Sequence, residues 1–167
     1  MGEEIPRRKP TRLSHYDYGR SGAYFITICT HEKRCTLSRI VGEGSPLPQL
    51  TVAGSIAEQC ILEINSNYPT YSVEHYVIMP NHIHMLILNR REYGRGDPSP
   101  TVVDVVAWLK YWMTKEINKR KGMNGVSQFQ RSFHDHIIRD RDDYTRIAKY
   151  IAENPKLWHR DCFYTPS

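Results

Sequence analysis

The chain of 167 residues lacks any long hydrophobic run, and this absence limits the classes of protein to which it can belong. No apolar stretch approaches the roughly 20 residues that a transmembrane helix needs, so we expect no membrane partner. The N-terminus carries Arg7, Arg8, Lys9 and Arg12, but no apolar segment follows them, which argues against a secretory signal. We therefore expect a cytoplasmic protein.

Cysteine is also scarce. The four cysteines are Cys29, Cys35, Cys60 and Cys162, and no two of them form a Cys-x-x-Cys pair. The common cysteine-pair zinc and redox motifs are thus absent, and a reducing compartment fits this pattern. The sequence also has no Gly-x-x-x-x-Gly-Lys-Ser/Thr loop, which excludes the common phosphate-binding loop of ATPases.

Positive charge, in contrast, is in excess. The formal net charge is +5, and the sequence pI is near 9.0. Basic residues cluster at the N-terminus, between positions 115 and 121, and at Arg131, Arg139 and Arg141. Such a distribution suits a polyanionic partner, although many soluble proteins are equally basic.

The order of predicted elements indicates the fold class. Hydrophobic periodicity predicts strands at 24–30, 71–78, 82–88 and 132–138 and helices at 52–67, 101–120 and 140–153. We therefore predict an α+β fold, a ferredoxin-like β-α-β-β-α-β antiparallel sheet with a hairpin insert after the first strand and an extra C-terminal helix. Residues 1–22 are expected to form a basic arm, and residues 23–167 a single domain.

Two histidines lie two residues apart in segment 79–88, which reads MPNHIHMLIL. The segment is typical of a turn followed by a strand, and strand side chains alternate between faces, so His82 and His84 point the same way. Two imidazoles on one face of a rigid strand can hold one divalent metal ion. The alternative interpretation is a pair of half-exposed sheet histidines.

The last predicted helix places a phenol and an amide on the same side. Tyr150 lies at the edge of the apolar stripe, and Asn154 follows one turn later. The alternative interpretation makes Tyr150 an amphipathic boundary residue and Asn154 the end of the helix before Pro155.

Taken together, these segments resemble a known family. Segment 79–84 (MPNHIH), segment 129–139 (FQRSFHDHIIR) and the run from Asp143-Tyr144 to 150–155 (YIAENP) are similar to the REP-associated tyrosine transposases. These belong to the single-tyrosine transposases of insertion sequences that carry a His-hydrophobic-His motif. Segments 16–18 (YDY) and 22–30 (GAYFITICT) also resemble the opening of that family.

The resemblance implies a DNA transposase and single-strand endonuclease. It implies that His82 and His84 bind a metal, that Asn154 completes the metal site, and that Tyr150 is the nucleophile. The enzyme would cleave and rejoin hairpin-bearing single-stranded DNA through a 5′-phosphotyrosine intermediate, without ATP. The cofactor would be Mg²⁺ or Mn²⁺, and imidazole ligands favour tighter binding of Mn²⁺. The protein would be associated with the nucleoid, as a monomer or a homodimer.

Further residues are candidates for DNA contacts. His136 belongs to a second His-x-His sequence and is either a contact of the phosphate or of the tyrosine nucleophile, next to the metal ligands but not one of them, or an edge-strand histidine. Aromatic and basic side chains can stack on unpaired bases and follow the backbone, but they can equally form a solvated helix face. The candidates are Arg7, Arg8, Lys9, Arg12, Trp108, Tyr111, Lys115, Lys119, Arg131 and Arg139.

Two other functions compete with the transposase. A metal-dependent phosphoesterase that uses activated water would need His82 and His84 but not Tyr150. A domesticated, non-catalytic DNA-binding protein would need none of the three, and their joint presence argues against it. Trapping a covalent protein–DNA adduct separates the first rival from the transposase.

Overall fold

A four-stranded antiparallel sheet organises the chain in the computed structural model, which describes residues 17, 20–42, 47–92 and 100–165. Its strands are β1 (Gly22–Cys29), β4 (Tyr71–Ile78), β5 (His82–Asn89) and β6 (His134–Ile138). They pair in the order β4-β5-β1-β6. The two-residue strands β2 (Ser38–Arg39) and β3 (Gln49–Leu50) form a separate antiparallel pair. The predicted α+β class and the hairpin after the first strand are therefore confirmed.

One face of the sheet carries the larger core and the helices α1 (Val52–Leu62), α2 (Ile64–Asn67) and α3 (Val102–Arg120). Alternate residues of β1 and β5, such as Ile26 and Met85, are fully buried against these helices. The helix predicted at 52–67 is broken at Glu63 into α1 and α2. A Cβ added to Gly54 would lie 2.0 Å from the Leu37 carbonyl oxygen, so glycine allows α1 to approach the preceding chain closely.

The opposite face carries helix α4 (Arg141–Glu153) and a smaller core. Ile147 and Ile151 are its buried residues and pack near Leu86 of β5. Asp140 caps α4 because its side chain accepts a hydrogen bond from the Asp143 amide (2.8 Å). A 3₁₀ helix (Asn154–Arg160) follows α4 directly and turns the chain back over this face.

The arm predicted at residues 1–22 lies almost entirely outside the described residues, and so do its candidate DNA contacts Arg7, Arg8, Lys9 and Arg12. Within the described ranges, no helix combines the length and apolar character that crossing a bilayer requires.

Candidate active site

Strand β5 presents two neighbouring histidines on the face that α4 covers. His82 and His84 are 0% and 1% exposed, and their ring centroids lie 4.4 Å apart. Ile83, between them, belongs to the larger core on the other face. The alternation of side chains along the strand therefore places both imidazoles together, as predicted, and excludes the half-exposed alternative.

Asn81 determines which nitrogen of His82 is available. The Asn81 Nδ2 donates to the carbonyl oxygens of Lys33 (3.2 Å) and Phe163 (2.8 Å), which directs its Oδ1 toward His82. That Oδ1 accepts from His82 Nδ1 at 2.9 Å. A neutral His82 then carries its proton on Nδ1 and an unshared electron pair on Nε2, which is the form that binds metals.

His84 has a corresponding partner on the neighbouring strand. Its Nδ1 lies 2.8 Å from the hydroxyl oxygen of Thr27, which pairs with His84 across β1 and β5. When His84 Nδ1 donates this hydrogen bond, Nε2 carries the electron pair. Thr27 and Asn81 thus orient the two rings in the same sense, with both Nε2 atoms available as ligands.

Helix α4 brings Tyr150 to the histidines. The Tyr150 hydroxyl lies 3.4 Å from His84 Nε2, at the outer limit of a hydrogen bond, and the phenol remains 39% exposed. Its ring packs edge-on against Phe25 of β1. Burial of the phenol, together with the nearby Asp161 and Cys162, raises the pKa of Tyr150 to about 12. The hydroxyl is therefore protonated at neutral pH and needs help to act as a nucleophile.

Asn154 and Asp161 complete the group from the 3₁₀ helix and the residue that follows it. Asn154 is 2% exposed, and its Nδ2 donates to Asp161 Oδ2 at 2.7 Å. Its Oδ1 is therefore left without a partner among the described residues, although it is buried. Asp161 Oδ2 lies 3.9 Å from His82 Nε2, and both side chains are fully buried.

These donors fit a divalent metal ion. Ligand atoms of His82, His84 and Asp161 lie within 4.8 Å of one another. His82 Nε2 and Asn154 Oδ1 are both buried without a hydrogen-bond partner among the described residues, and such atoms normally need one. A cation would satisfy both atoms. Two imidazoles with amide and carboxylate oxygens suit Mn²⁺ better than Mg²⁺, which prefers oxygen ligands.

The protonation of the histidines also agrees with metal binding. Burial lowers the pKa of His82 to about 4, although the Asp161 carboxylate acts in the opposite direction. Burial, and then the proximity of His82, lowers the pKa of His84 well below its ordinary value. Both rings are thus neutral at pH 7, so a metal would not have to displace protons from them.

Asp161 is absent from the residues that the sequence predicts for the site. It follows an irregular 3₁₀ helix, where no hydrophobic period indicates which way a side chain points. A short Asx-type turn, in which Asp161 Oδ1 accepts from the Phe163 amide at 2.7 Å, fixes its carboxylate. Only a weak sequence signal exists, namely an aspartate a few residues after Pro155.

His136 has a partner other than the site residues just described. Its Nε2 lies 2.7 Å from Asp143 Oδ2 in the first turn of α4, and its side chain is 48% exposed. His134 lies on the same strand, with its ring 6.2 Å from that of Phe163. The role of His136 as a phosphate contact remains a prediction.

The candidate DNA contacts on α3 differ in exposure. Tyr111 is 59% exposed, and the Lys115 ammonium lies over the Trp112 ring at 4.3 Å from its centroid. Trp108, by contrast, is partly buried and packs edge-on against Tyr68 at 5.7 Å. The basic candidates Lys119, Arg131 and Arg139 are exposed as well.

A cavity of about 660 Å³ lies between α3 and the segment before β6. Tyr111, Lys115 and Arg131 line it, so three of the predicted DNA contacts share one concave surface. The Lys110 ammonium donates to the Arg131 carbonyl oxygen (2.8 Å), which ties this segment to the helix.

Comparisons with known proteins bear on the fold and the family of the chain. No protein-family model matches the chain. An uncharacterized protein of Haemophilus influenzae (strain Rd) is 33% identical over 96% of this chain and 94% of its own length. The structure of a REP-associated tyrosine transposase bound to a REP hairpin aligns with a TM-score of 0.54 and 20% identity, covering 92% of this chain and 87% of the other. At that identity the alignment shows a shared fold.

A second solved structure, a transposase candidate from Deinococcus radiodurans R1, aligns with a TM-score of 0.48 and 16% identity, over 86% of this chain and 96% of the other.

Proposed function

Because the chain belongs to the family of the Haemophilus influenzae protein and shares the fold of a REP-associated tyrosine transposase, we propose that it is a DNA transposase. In this proposal it cleaves and rejoins hairpin-bearing single-stranded DNA. The solved transposase is bound to a REP hairpin, and this chain has a basic, partly aromatic surface that suits the same class of ligand.

One observation carries the proposal. The Tyr150 hydroxyl lies 3.4 Å from His84 Nε2, beside two buried neutral histidines and the unpartnered Asn154 oxygen. A tyrosine with a merely structural role does not require such neighbours. A phenol beside a metal-binding group is what covalent cleavage of a phosphodiester needs.

The proposed residues of the metal site are His82, His84 and Asn154. A divalent cation there would neutralise charge on the scissile phosphate and favour the phenolate form of the nucleophile. Asn81 and Thr27 orient the two rings, and Asp161 orients Asn154 through its 2.7 Å hydrogen bond. The protein thereby holds its ligands in place before any DNA binds.

Cleavage proceeds by attack of the Tyr150 oxygen on phosphorus. The new bond joins that oxygen to the phosphate, the bond to the 3′ oxygen breaks, and the leaving 3′ oxygen takes up a proton from solvent. We assign the phenolic proton to the Asp161 carboxylate, which lies 3.9 Å from His82 Nε2 in the same buried group that the Tyr150 hydroxyl approaches through His84. Rejoining reverses these steps, because the phosphotyrosine retains the energy of the phosphodiester.

The test is cleavage of a hairpin-bearing single strand labelled at its 3′ end, with Mn²⁺, resolved on a denaturing gel, because the 5′-phosphotyrosine adduct carries the 3′ fragment. Tyr150→Phe removes one hydroxyl, which lies 3.4 Å from His84 Nε2. The free energy of unfolding of this variant should therefore differ from that of wild type by about 1 kcal/mol or less. We expect both cleavage and the covalent adduct to disappear. Tyr144→Phe is the matched control, because Tyr144 packs against the smaller core and the His75 ring.

A metal-dependent phosphoesterase is the second candidate, and Asp161 is the observation that favours it. A carboxylate 3.9 Å from His82 Nε2 could accept a proton from an attacking water. In that case Tyr150→Phe would still cleave and wild type would form no adduct. Cleavage that is insensitive to EDTA would contradict both candidates.

A further inference from the structure

A second cavity of about 660 Å³ adjoins the metal site, outside the group of residues that carries the proposed chemistry. Strand β2 forms one wall, and the C-terminal 3₁₀ helix with the residues after it forms the other. The volume lies within the range of small-molecule sites, roughly 300–1,000 Å³. The proposed mechanism gives this cavity no function.

A buried hydroxyl group in its wall lacks a partner. Ser38 is 1% exposed and lines the cavity, and its Oγ has no hydrogen-bond partner among the described residues. Neighbouring Thr51, by contrast, uses its hydroxyl oxygen as the cap of α1. Because buried polar groups are nearly always paired, the Ser38 hydroxyl is a site where a ligand can donate or accept a hydrogen bond.

An aromatic wall connects the cavity to the metal site. Trp158 lines the cavity, and its ring centroid lies 5.9 Å from that of His82. Tyr164 packs edge-on against Trp158 at 5.3 Å and lines the cavity as well. A ligand that occupies the cavity would therefore be separated from the His82 imidazole by a single ring.

The cavity edge is positively charged. Arg39 and Lys156 are both exposed and line the cavity from opposite walls. An aromatic wall, one buried hydroxyl and two flanking cations match the chemistry of a nucleotide. Its base has flat faces that stack and an edge that hydrogen-bonds, and its phosphates are negatively charged.

We propose that this cavity binds one unpaired base of the DNA strand, next to the scissile phosphate, and that the Ser38 hydroxyl discriminates among bases. This inference rests on the proposed function, since it assumes that single-stranded DNA is the ligand. The base stacks on Trp158 while its edge meets Ser38, and Arg39 and Lys156 contact the adjoining phosphates. The cavity thereby contributes to the choice of cleavage site.

The test measures binding rather than cleavage, using full-length protein that carries Tyr150→Phe. Hairpin oligonucleotides with single-stranded flanks are varied base by base at each flank position, and their affinities are compared. One hydrogen bond predicts about fivefold discrimination at a single position, which Ser38→Ala should reduce to below about twofold. Ser38→Ala should fold normally, because the hydroxyl loses no protein partner. Ser55→Ala, an exposed serine on α1, is the matched control.

Photocrosslinking locates the base independently. A 5-iododeoxyuridine placed at the discriminating position should crosslink to the peptide that contains Trp158. Binding without base preference, a preference that Ser38→Ala leaves unchanged, or a crosslink elsewhere would overturn the cavity assignment but leave the proposed function intact. Failure to bind any single-stranded DNA would instead overturn both.

Discussion

Acid should destabilise this protein in a pH range set by its buried histidines. The pKa of His82 falls from its ordinary 6.5 to about 4 in the folded state because the ring is buried. Between these values the unfolded chain binds a proton that the folded chain excludes, so the free energy of unfolding decreases as the pH falls. Each pKa unit is equivalent to roughly 1.4 kcal/mol, so lowering the pH from 6.5 to about 4 should reduce the free energy of unfolding by roughly 3 kcal/mol. Burial of His84 acts in the same direction.

A loss of this size is a substantial part of the roughly 5–15 kcal/mol that stabilises a typical domain. Urea titrations in EDTA, followed by circular dichroism between about pH 7 and about pH 4, would measure it. His82→Asn retains a donor for Asn81 but removes the titrating ring, so its stability should depend less on pH. His159→Gln changes an exposed histidine and serves as the control.

Carboxylates should not obscure this effect. Hydrogen bonds from Thr101 lower the pKa of Asp104, and hydrogen bonds from His136 and Arg146 lower the pKa of Asp143. A lowered carboxyl pKa contributes stability that is lost only as the pH falls below about 4. A free energy of unfolding that stays constant between pH 6.5 and about 4, or that falls equally in His82→Asn, would refute the reasoning.

Three further predictions concern packing, metal binding and DNA affinity. Gly54→Ala should destabilise the protein by about 2 kcal/mol or more in urea titrations, because the new Cβ would lie 2.0 Å from the Leu37 carbonyl oxygen. Thr27→Val should weaken Mn²⁺ binding about 10- to 100-fold in calorimetry, because it removes the 2.8 Å partner of His84 Nδ1; unchanged affinity would contradict that role. Lys115→Ala should reduce both hairpin affinity and its salt dependence in anisotropy titrations, whereas an unchanged salt slope would place the DNA elsewhere.

Tertiary packing separates two aromatic residues that sequence periodicity groups together. Trp108 and Tyr111 are both predicted DNA contacts on the helix at 101–120, where they could form a common stacking surface. In the structure Tyr68, which ends α2, packs against Trp108, while Tyr111 remains open beside Lys115. Helix periodicity specifies the angle of a side chain but not the segment that covers it. Tyr111 is therefore the stronger candidate for base stacking.

Local rules were sufficient for much of the fold and for part of the site. The two-residue period of a strand places His82 and His84 on one face, and the 3.6-residue period of α4 places Tyr150 at the edge of its core stripe. Capping chemistry sets the start of α4 at Asp140. These features depend on neighbours only a few residues away, so the sequence by itself determines them.

The surroundings of these residues depended on the tertiary structure. Thr27, Asn81 and Asp161 reach the histidines from a neighbouring strand, a turn and the chain after a 3₁₀ helix. No period links positions so far apart, and an aspartate in an irregular segment has no preferred direction until the chain around it packs. From the sequence, His82, His84 and Asn154 are predicted to bind a metal and Tyr150 to attack a phosphate. Only packing of α4 and the following segment against the sheet brought the Asp161 carboxylate beside them, because burial and long-range hydrogen bonds fix that contact.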